Sequence, residues 1–173
     1  MTEISIRIAA TEAEFEVARD MCRAWLDWHW ENYPDDWPLE GNPMARDKFQ
    51  PIMEDLETIH ARPEGAIVVA FLEGQPVGCV MYNKSEREGV AVFNRMFVTE
   101  AGRGHGIGGK MLECMFEQMV ADGYQKVLFS SAKFLTHARA MYQKAGFEDA
   151  PHPDDFPDEW RDYVYFMERS LVQ

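Results

Sequence analysis

Ile4, Ile6 and Ile8 alternate with polar residues, which predicts a half-buried strand over residues 3–9. Thr11 and Glu14 have the spacing of a capping box, so a helix should open there. Phe15, Ala18, Cys22, Trp25 and His29 recur at helical spacing and carry that helix to a stop before Pro34. A loop rich in Pro, Trp and Asp (YPDDWPLEGNP) leads to a second helix over about residues 44–61. Residues 66–83 read as two strands around a Gly-Gln-Pro turn, and residues 90–98 (VAVFNRMFV) as a third, strongly apolar one. A glycine-rich turn follows, then a helix over about 106–121 with Met111, Cys114, Met115, Met119 and Val120 on or near one face. Gly123 ends it, KVLFSS forms a strand, residues 133–145 return to a helical period, and Tyr163, Tyr165 and Met167 alternate in a last strand. The order β-α-α-β-β-β-α-β-α-β-β predicts a mixed α/β sheet in one domain, residues 1–173, with one strong strand–glycine turn–helix crossing.

Composition changes this picture little. Of 173 residues, 46% are hydrophobic and 13% aromatic, enough to order a core and exclude general disorder. No apolar run approaches the roughly 18 residues of a membrane span. The first residues, MTEISIRIAATEAEF, lack the basic and apolar regions of a secretion signal. Cys22, Cys79 and Cys114 are too few and scattered for a disulfide framework or a metal site. The expectation is a cytoplasmic protein with no metal and no membrane partner.

Charge says more. The net of −13 excludes a general nucleic-acid binder, because phosphate contacts need a basic face. Residues 11–60 hold 13 acids and 4 bases, residues 148–162 hold 7 and 1, whereas residues 61–147 hold 8 acids and 10 bases. Acids on exposed helices and loops confer solubility, which is one reading. The other is a division of labour: a middle that tolerates a polyanion, flanked by segments that suit a cation.

After the strand at 90–98 the chain reads TEAGRGHGIGGKM. A strand running through glycines into a helix suits an anionic phosphate group, since the backbone can approach closely and free N–H groups and the helix dipole face the anion. Gly104, Gly106 and Gly109 fit the dinucleotide pattern, yet the crossing comes after three strands instead of opening a repeated βαβ set. Gly104, Gly109 and Lys110 fit a P-loop, yet Met111 stands where magnesium needs Ser or Thr. A purely structural turn is a further alternative.

Arg103, Gly106 and Gly108 match R-x-x-G-x-G, and with NRMFV before it and GKMLECMFEQMVADGY after it the segment resembles the GCN5-related N-acetyltransferase (GNAT) superfamily. ARAMYQKAGFE (138–148) resembles that family's helix-to-strand segment ending in Tyr-x-x-x-Gly-Phe; residues 62–83 and 163–171 resemble its second, third and closing strands. The resemblance implies a GNAT fold of the α/β (α+β) class, a mixed sheet of about seven strands flanked by about four helices, with a splayed strand pair for acyl-CoA. It implies acetyl-CoA as cosubstrate, its pyrophosphate wrapped by Arg103, Gly104, His105, Gly106, Gly108 and Gly109. Met96 and Val98 would bond the pantetheine arm, a backbone amide near Met96 or Phe97 would polarise the thioester carbonyl, and Tyr142 would protonate the departing thiolate.

Two departures from the family pattern follow. Val92 holds the position of a carboxylate in many relatives, so the base lies elsewhere or bulk water takes the proton; Glu88 before the strand and His29 on the acceptor side are the candidates, and Asn94, on the same side of the strand as Val92, is a candidate substrate contact. Leu135 replaces an asparagine that contacts CoA, with Thr136 or His137 as substitutes. The family builds its acceptor pocket from the two acidic segments, which also carry Trp28, Trp30 and Trp37. Carboxylates and indole faces suit a protonated amine, so the expected partner is a small cationic amine. A peptide or protein amine, a non-catalytic acyl-CoA-binding module and a homodimer stay open.

Overall fold

A computed structural model describes residues 2–42 and 44–172; Pro43, the last residue of the expected Pro/Trp loop, and both chain ends of the expected domain lie outside them. Its strands are β1 (Ile4–Ile8), β2 (Ala66–Leu72), β3 (Gln75–Lys84), β4 (Val90–Val98), β5 (Lys126–Ala132), β6 (Glu148–Ala150) and β7 (Val164–Ser170). Its helices are α1 (Glu12–Glu31), α2 (Arg46–Glu54), α3 (Leu56–Ile59), α4 (Ile107–Ala121) and α5 (Thr136–Lys144). The strands form one sheet in the order β1-β2-β3-β4-β5-β7-β6, antiparallel throughout except between β4 and β5.

Both faces of the sheet are covered, which is why β2 reads as an uninterrupted apolar run. Ala66, Val68 and Ala70 face a core completed by Ile107, Met111, Met115 and Met119 of α4, while Ile67 and Val69 face a second core under α1, α2 and α3. Ala18, Cys22 and Leu26 set the α1 contact at a four-residue period. Thr11 caps α1 as its spacing predicts, with the Glu14 amide donating to Thr11 Oγ1 at 3.2 Å and the Thr11 amide donating to Glu14 Oε1 at 3.0 Å. The expected helix over 44–61 is two helices, making five α-helices among the described residues. Pro51 inside α2 has no N–H to donate, and four residues on Asp55 leaves the helical region at φ −107°, ψ 13°.

Asp122, just past α4, ties that helix to β3 and to the chain before β2. It accepts hydrogen bonds from the Arg62 guanidinium and the Tyr82 hydroxyl, and from Gln118 Nε2 at 3.1 Å. Burial opposes its ionisation, but these donors outweigh burial and hold its pKa below the ordinary carboxylate value.

The feature that positions the site is an incomplete pairing. β4 and β5 pair only at Val90–Lys126, Ala91–Val127 and Val92–Leu128, while β5 goes on pairing with β7 as far as Ala132. Beyond Val92 the two central strands therefore part. On its other side β4 steps three residues, Asn94 to Phe97, while β3 steps two, Met81 to Cys79. The extra residue is a bulge marked by Arg95 at φ +55°, a left-handed conformation uncommon for a side chain of this size.

Candidate active site

The gap between β4 and β5 opens into two adjoining cavities. The larger, of about 530 Å³, runs between β4 residues 93–98 and the α5 residues Thr136, His137, Ala138 and Met141. The smaller, of about 210 Å³, lies between the second half of α1, the loop after it, and the ends of β5 and β7. Trp25, Asn94, Arg95, Ser130, Ser131 and Leu135 line both, so the cavities meet at the β4 bulge.

The larger cavity has the chemistry of an anion-ended, amide-bearing ligand. Gly106 caps α4 in the left-handed region at φ +71° and supplies no side-chain bond, and Leu135 at the start of α5 supplies none either. Both helices thus present free first-turn N–H groups. Gly104, also left-handed at φ +81°, and Gly109 have nothing within 4 Å of where a Cβ would stand, so the turn is open to a phosphate. Gly108 serves closeness instead: a Cβ there would lie 2.9 Å from Met141 Sδ, so its absence lets α4 approach α5. The β4 edge past Val92 adds backbone donors and acceptors without a strand to pair with. A coenzyme A thioester, with a pyrophosphate at one end and two amides along its arm, fits this set.

Tyr142 closes the inner wall. Its ring is 4.4 Å from Phe129 and 5.6 Å from Phe93 between centroids, and it lines the larger cavity while only 5% exposed. Burial raises its pKa, so the phenol stays protonated.

The smaller cavity is aromatic. Trp37 lies 4.8 Å from Tyr163 and 5.2 Å from Phe134 between centroids, and the Tyr33 hydroxyl, which donates to the Pro38 carbonyl and accepts from Asn42 Nδ2 at 3.0 Å, pins the loop that carries Trp37. His29 faces this cavity with 3% of its surface exposed, and neither ring nitrogen has a hydrogen-bond partner. Burial pushes its pKa down to about 4.

Residues 22–147 match the model of the acetyltransferase (GNAT) family. The chain belongs to that family. It is 33% identical to an IAA acetyltransferase of Azospirillum brasilense over 68% of this chain and 74% of that protein. It spans little more than a third of the length of several further curated relatives. A GNAT-family acetyltransferase from Staphylococcus aureus superposes with TM-score 0.76 at 18% identity, covering 98% of this chain and 100% of that one. The PaiA N-acetyltransferase of Thermoplasma acidophilum, solved in complex with coenzyme A, gives 0.69 at 14%, covering 97% and 99%. The first of these structures shares the fold, and so does the second.

In this acetyltransferase, Met96, Phe97, Val98, Arg103, Thr136 and Tyr142 come together along the larger cavity, and Gly104, His105, Gly106, Gly108 and Gly109 form the turn and first helical residues at the start of α4. Trp37, His29 and Asn94 line the smaller one. Three residues fall elsewhere than expected. Glu88 is exposed in the turn before β4, which begins about 13 Å of strand short of Asn94, and it lines neither cavity. Trp30 turns away into the α1–α3 core, where its Nε1 donates to the Met44 carbonyl at 3.1 Å. Trp28 lines the larger cavity, on the cosubstrate side. The acids that motivate a cationic acceptor stand apart too, since no Asp or Glu among the described residues lines either cavity. Arg95, Phe134, Ser130 and Ser131 were not singled out from sequence; a lone charge inside VAVFNRMFV was the signal for the first.

His29 and His60 also set an acid limit on stability. Both have pKa values lowered to about 4, by burial first, from an ordinary 6.5. The unfolded chain binds their protons over that interval and the folded one does not, so stability is full above pH 6.5 and falls as pH drops towards 4. Each group costs on the order of 3 kcal/mol across the window. Thermal melts from pH 7.5 to 4 should show Tm falling through it, and His29→Phe should flatten the slope by about half.

Proposed function

We propose that the protein moves the acetyl group of acetyl-CoA to the primary amine of a small molecule by direct attack in a ternary complex. The observation that carries this reading is the parting of β4 and β5 beyond Val92, with the uncapped start of α4 at its mouth and Tyr142 in its wall. Acetyl-CoA supplies an acetyl group activated as a thioester. The first-turn N–H groups of α4, with Arg103 beside them, hold the pyrophosphate. The β4 amides near Met96 and Phe97 hold the arm and donate to the carbonyl oxygen as it gains charge. The amine nitrogen bonds to the acetyl carbon, the carbon–sulfur bond breaks, and the Tyr142 hydroxyl gives its proton to the thiolate, while the proton that the nitrogen sheds on becoming an amide returns through water to restore the phenol.

The amine side supports a small acceptor, because about 210 Å³ is below the volume range of drug-sized sites and far too little for a folded chain. The exposed acids of residues 31–40 and 154–162, on the segments that bring Tyr33, Trp37 and Trp160 to the cavity wall, attract an ammonium group to this part of the surface. Inside, without a carboxylate, desolvation favours the neutral amine. Its proton leaves to water, and the unpartnered His29 lone pair accepts a hydrogen bond from the neutral amine. An imidazole with a pKa near 4 is too weak to strip an ammonium, so it orients the nucleophile. Val92 in place of a carboxylate accords with this route.

Thermal melting with acetyl-CoA, CoA, ATP and NAD at equal concentration tests the donor half. At 100 times its dissociation constant a ligand stabilises by about 2.7 kcal/mol, or roughly 5–11 °C for a chain of this size. A shift with acetyl-CoA and CoA alone is expected; an equal shift with ATP or NAD would overturn the reading of the glycine turn.

A further inference from the structure

We propose that the acceptor is an α-amino acid with an apolar, aromatic side chain, and that Arg95 receives its carboxylate. This rests on the smaller cavity being the acceptor pocket of an acetyltransferase. The acceptor's class is then set by what that cavity offers and withholds.

It offers one unspent cation. Arg95 lies at the bulge where the two cavities meet and lines both. Arg19, Arg62, Arg139 and Arg161 each pair with a carboxylate, whereas Arg95 has no such partner among the described residues. Its Nε donates to Met81 Sδ at 3.2 Å, and one terminal nitrogen donates to His60 Nε2. His60 is the neutral partner in that contact: its Nδ1 lies 2.9 Å from the Tyr82 carbonyl, so Nδ1 carries the hydrogen and Nε2 the lone pair. These contacts account for two of the five guanidinium N–H donors, and neither a thioether nor a neutral imidazole cancels the charge. A half-buried guanidinium held by neutral groups is poised for an anion, and its fork matches a carboxylate.

The cavity withholds any site for a second cation. Trp25, Trp37, Phe49, Trp160 and Tyr163 supply rings, and no acidic side chain among the described residues lines it. A polyamine would set its further ammonium groups beside Arg95 with nothing to neutralise them. The exposed acids on the segments that carry Tyr33, Trp37 and Trp160 to the cavity, Asp35, Asp36, Asp154, Asp155, Asp158 and Glu159, disfavour an acceptor with net negative charge. A zwitterion with an aromatic body satisfies all three conditions: its ammonium is drawn by these acids, its carboxylate by Arg95, and its ring by the indoles.

The test compares kcat/KM, by thiol release, for phenylalanine, phenethylamine, spermidine and aspartate on a preparation whose melting shift with acetyl-CoA is measured alongside. Phenylalanine should exceed phenethylamine, which lacks only the carboxylate, by at least tenfold, with spermidine and aspartate below both. In Arg95→Gln the phenylalanine-to-phenethylamine ratio should collapse to within about threefold, through KM; Arg95→Lys should restore part of it as a charge without the fork. If Arg95→Gln does not fold, the wild-type ranking and Arg95→Lys decide. An acetyl-CoA shift together with spermidine, aspartate or phenethylamine as the best acceptor overturns the inference alone, as does a ratio that survives in Arg95→Gln. No acetyl-CoA shift overturns the acetyltransferase reading and the inference with it.

Discussion

Replacing Tyr142 with phenylalanine is expected to lower kcat by about 10²- to 10⁴-fold, the range a positioned general acid contributes, while the melting shift with acetyl-CoA stays within a degree or two of wild type. The two outcomes separate because the hydroxyl and the ring do different things. The ring fills a hydrophobic cluster with Phe93, Phe129 and Phe147, which phenylalanine fills equally well. The hydroxyl has a pKa raised by burial, so at neutral pH the resting residue is a phenol that holds a proton to give. Steady-state kinetics at saturating acetyl-CoA read the loss. A kcat within threefold of wild type would mean that the thiolate leaves without help from this residue.

The largest effect on stability is expected at a position far from the chemistry. Asp122→Ala should cost about 3 kcal/mol and lower Tm by roughly 6–12 °C, leaving kcat per folded molecule unchanged. The Asp122 side chain is 5% exposed and is the shared acceptor for Arg62, Tyr82 and Gln118. Without it the Tyr82 hydroxyl, on a residue with no exposed surface, loses its acceptor, and the guanidinium loses its counter-charge. Asp122→Asn keeps the shape but not the charge and should fall between. Denaturant or thermal melts report both; a loss under 1 kcal/mol for Asp122→Ala would show that the joint between α4, β3 and the chain before β2 is sustained by packing alone.

The extent to which sequence disclosed this molecule follows from how local each determinant is. The α1 cap was legible because Thr11 and Glu14 satisfy each other within one turn. The glycine turn and the Tyr142 segment were legible because each is a continuous stretch of chain. Trp28 and Trp30, more than half a turn apart on α1, point to different sides, and what each meets there, the larger cavity and Met44, is fixed by distant chain that the sequence alone does not bring together. Glu88 was misplaced because nearness in sequence to β4 put it at the paired end of that strand, whereas the strands part at the other. The isolation of His29 could not be read at all: the groups that deny it water come from α1, the loop at Tyr33 and, across the sheet, Phe134. The bulge at Arg95 was likewise hidden, because alternation along VAVFNRMFV assumes a regular pleat and one inserted residue reverses every direction after it.

The three paired positions that join β4 to β5 have a further consequence. Strand edges usually lie at the rim of a sheet, where another chain can add to them, and proteins blunt them with charge or cover. Here a length of edge lies in the middle of the sheet, walled by α5 on one side and by Trp25 and Trp28 of α1 on the other. On the proposed reading it is a line of free backbone groups along which the slender, amide-bearing arm of coenzyme A lies. The fold thereby keeps backbone groups free for recognition without offering them to other proteins. Amide hydrogen exchange at those amides of residues 93–98 that point away from β3 would report its occupant directly: fast in the free protein, slowed by a slender amide-bearing ligand, and indifferent to protein concentration.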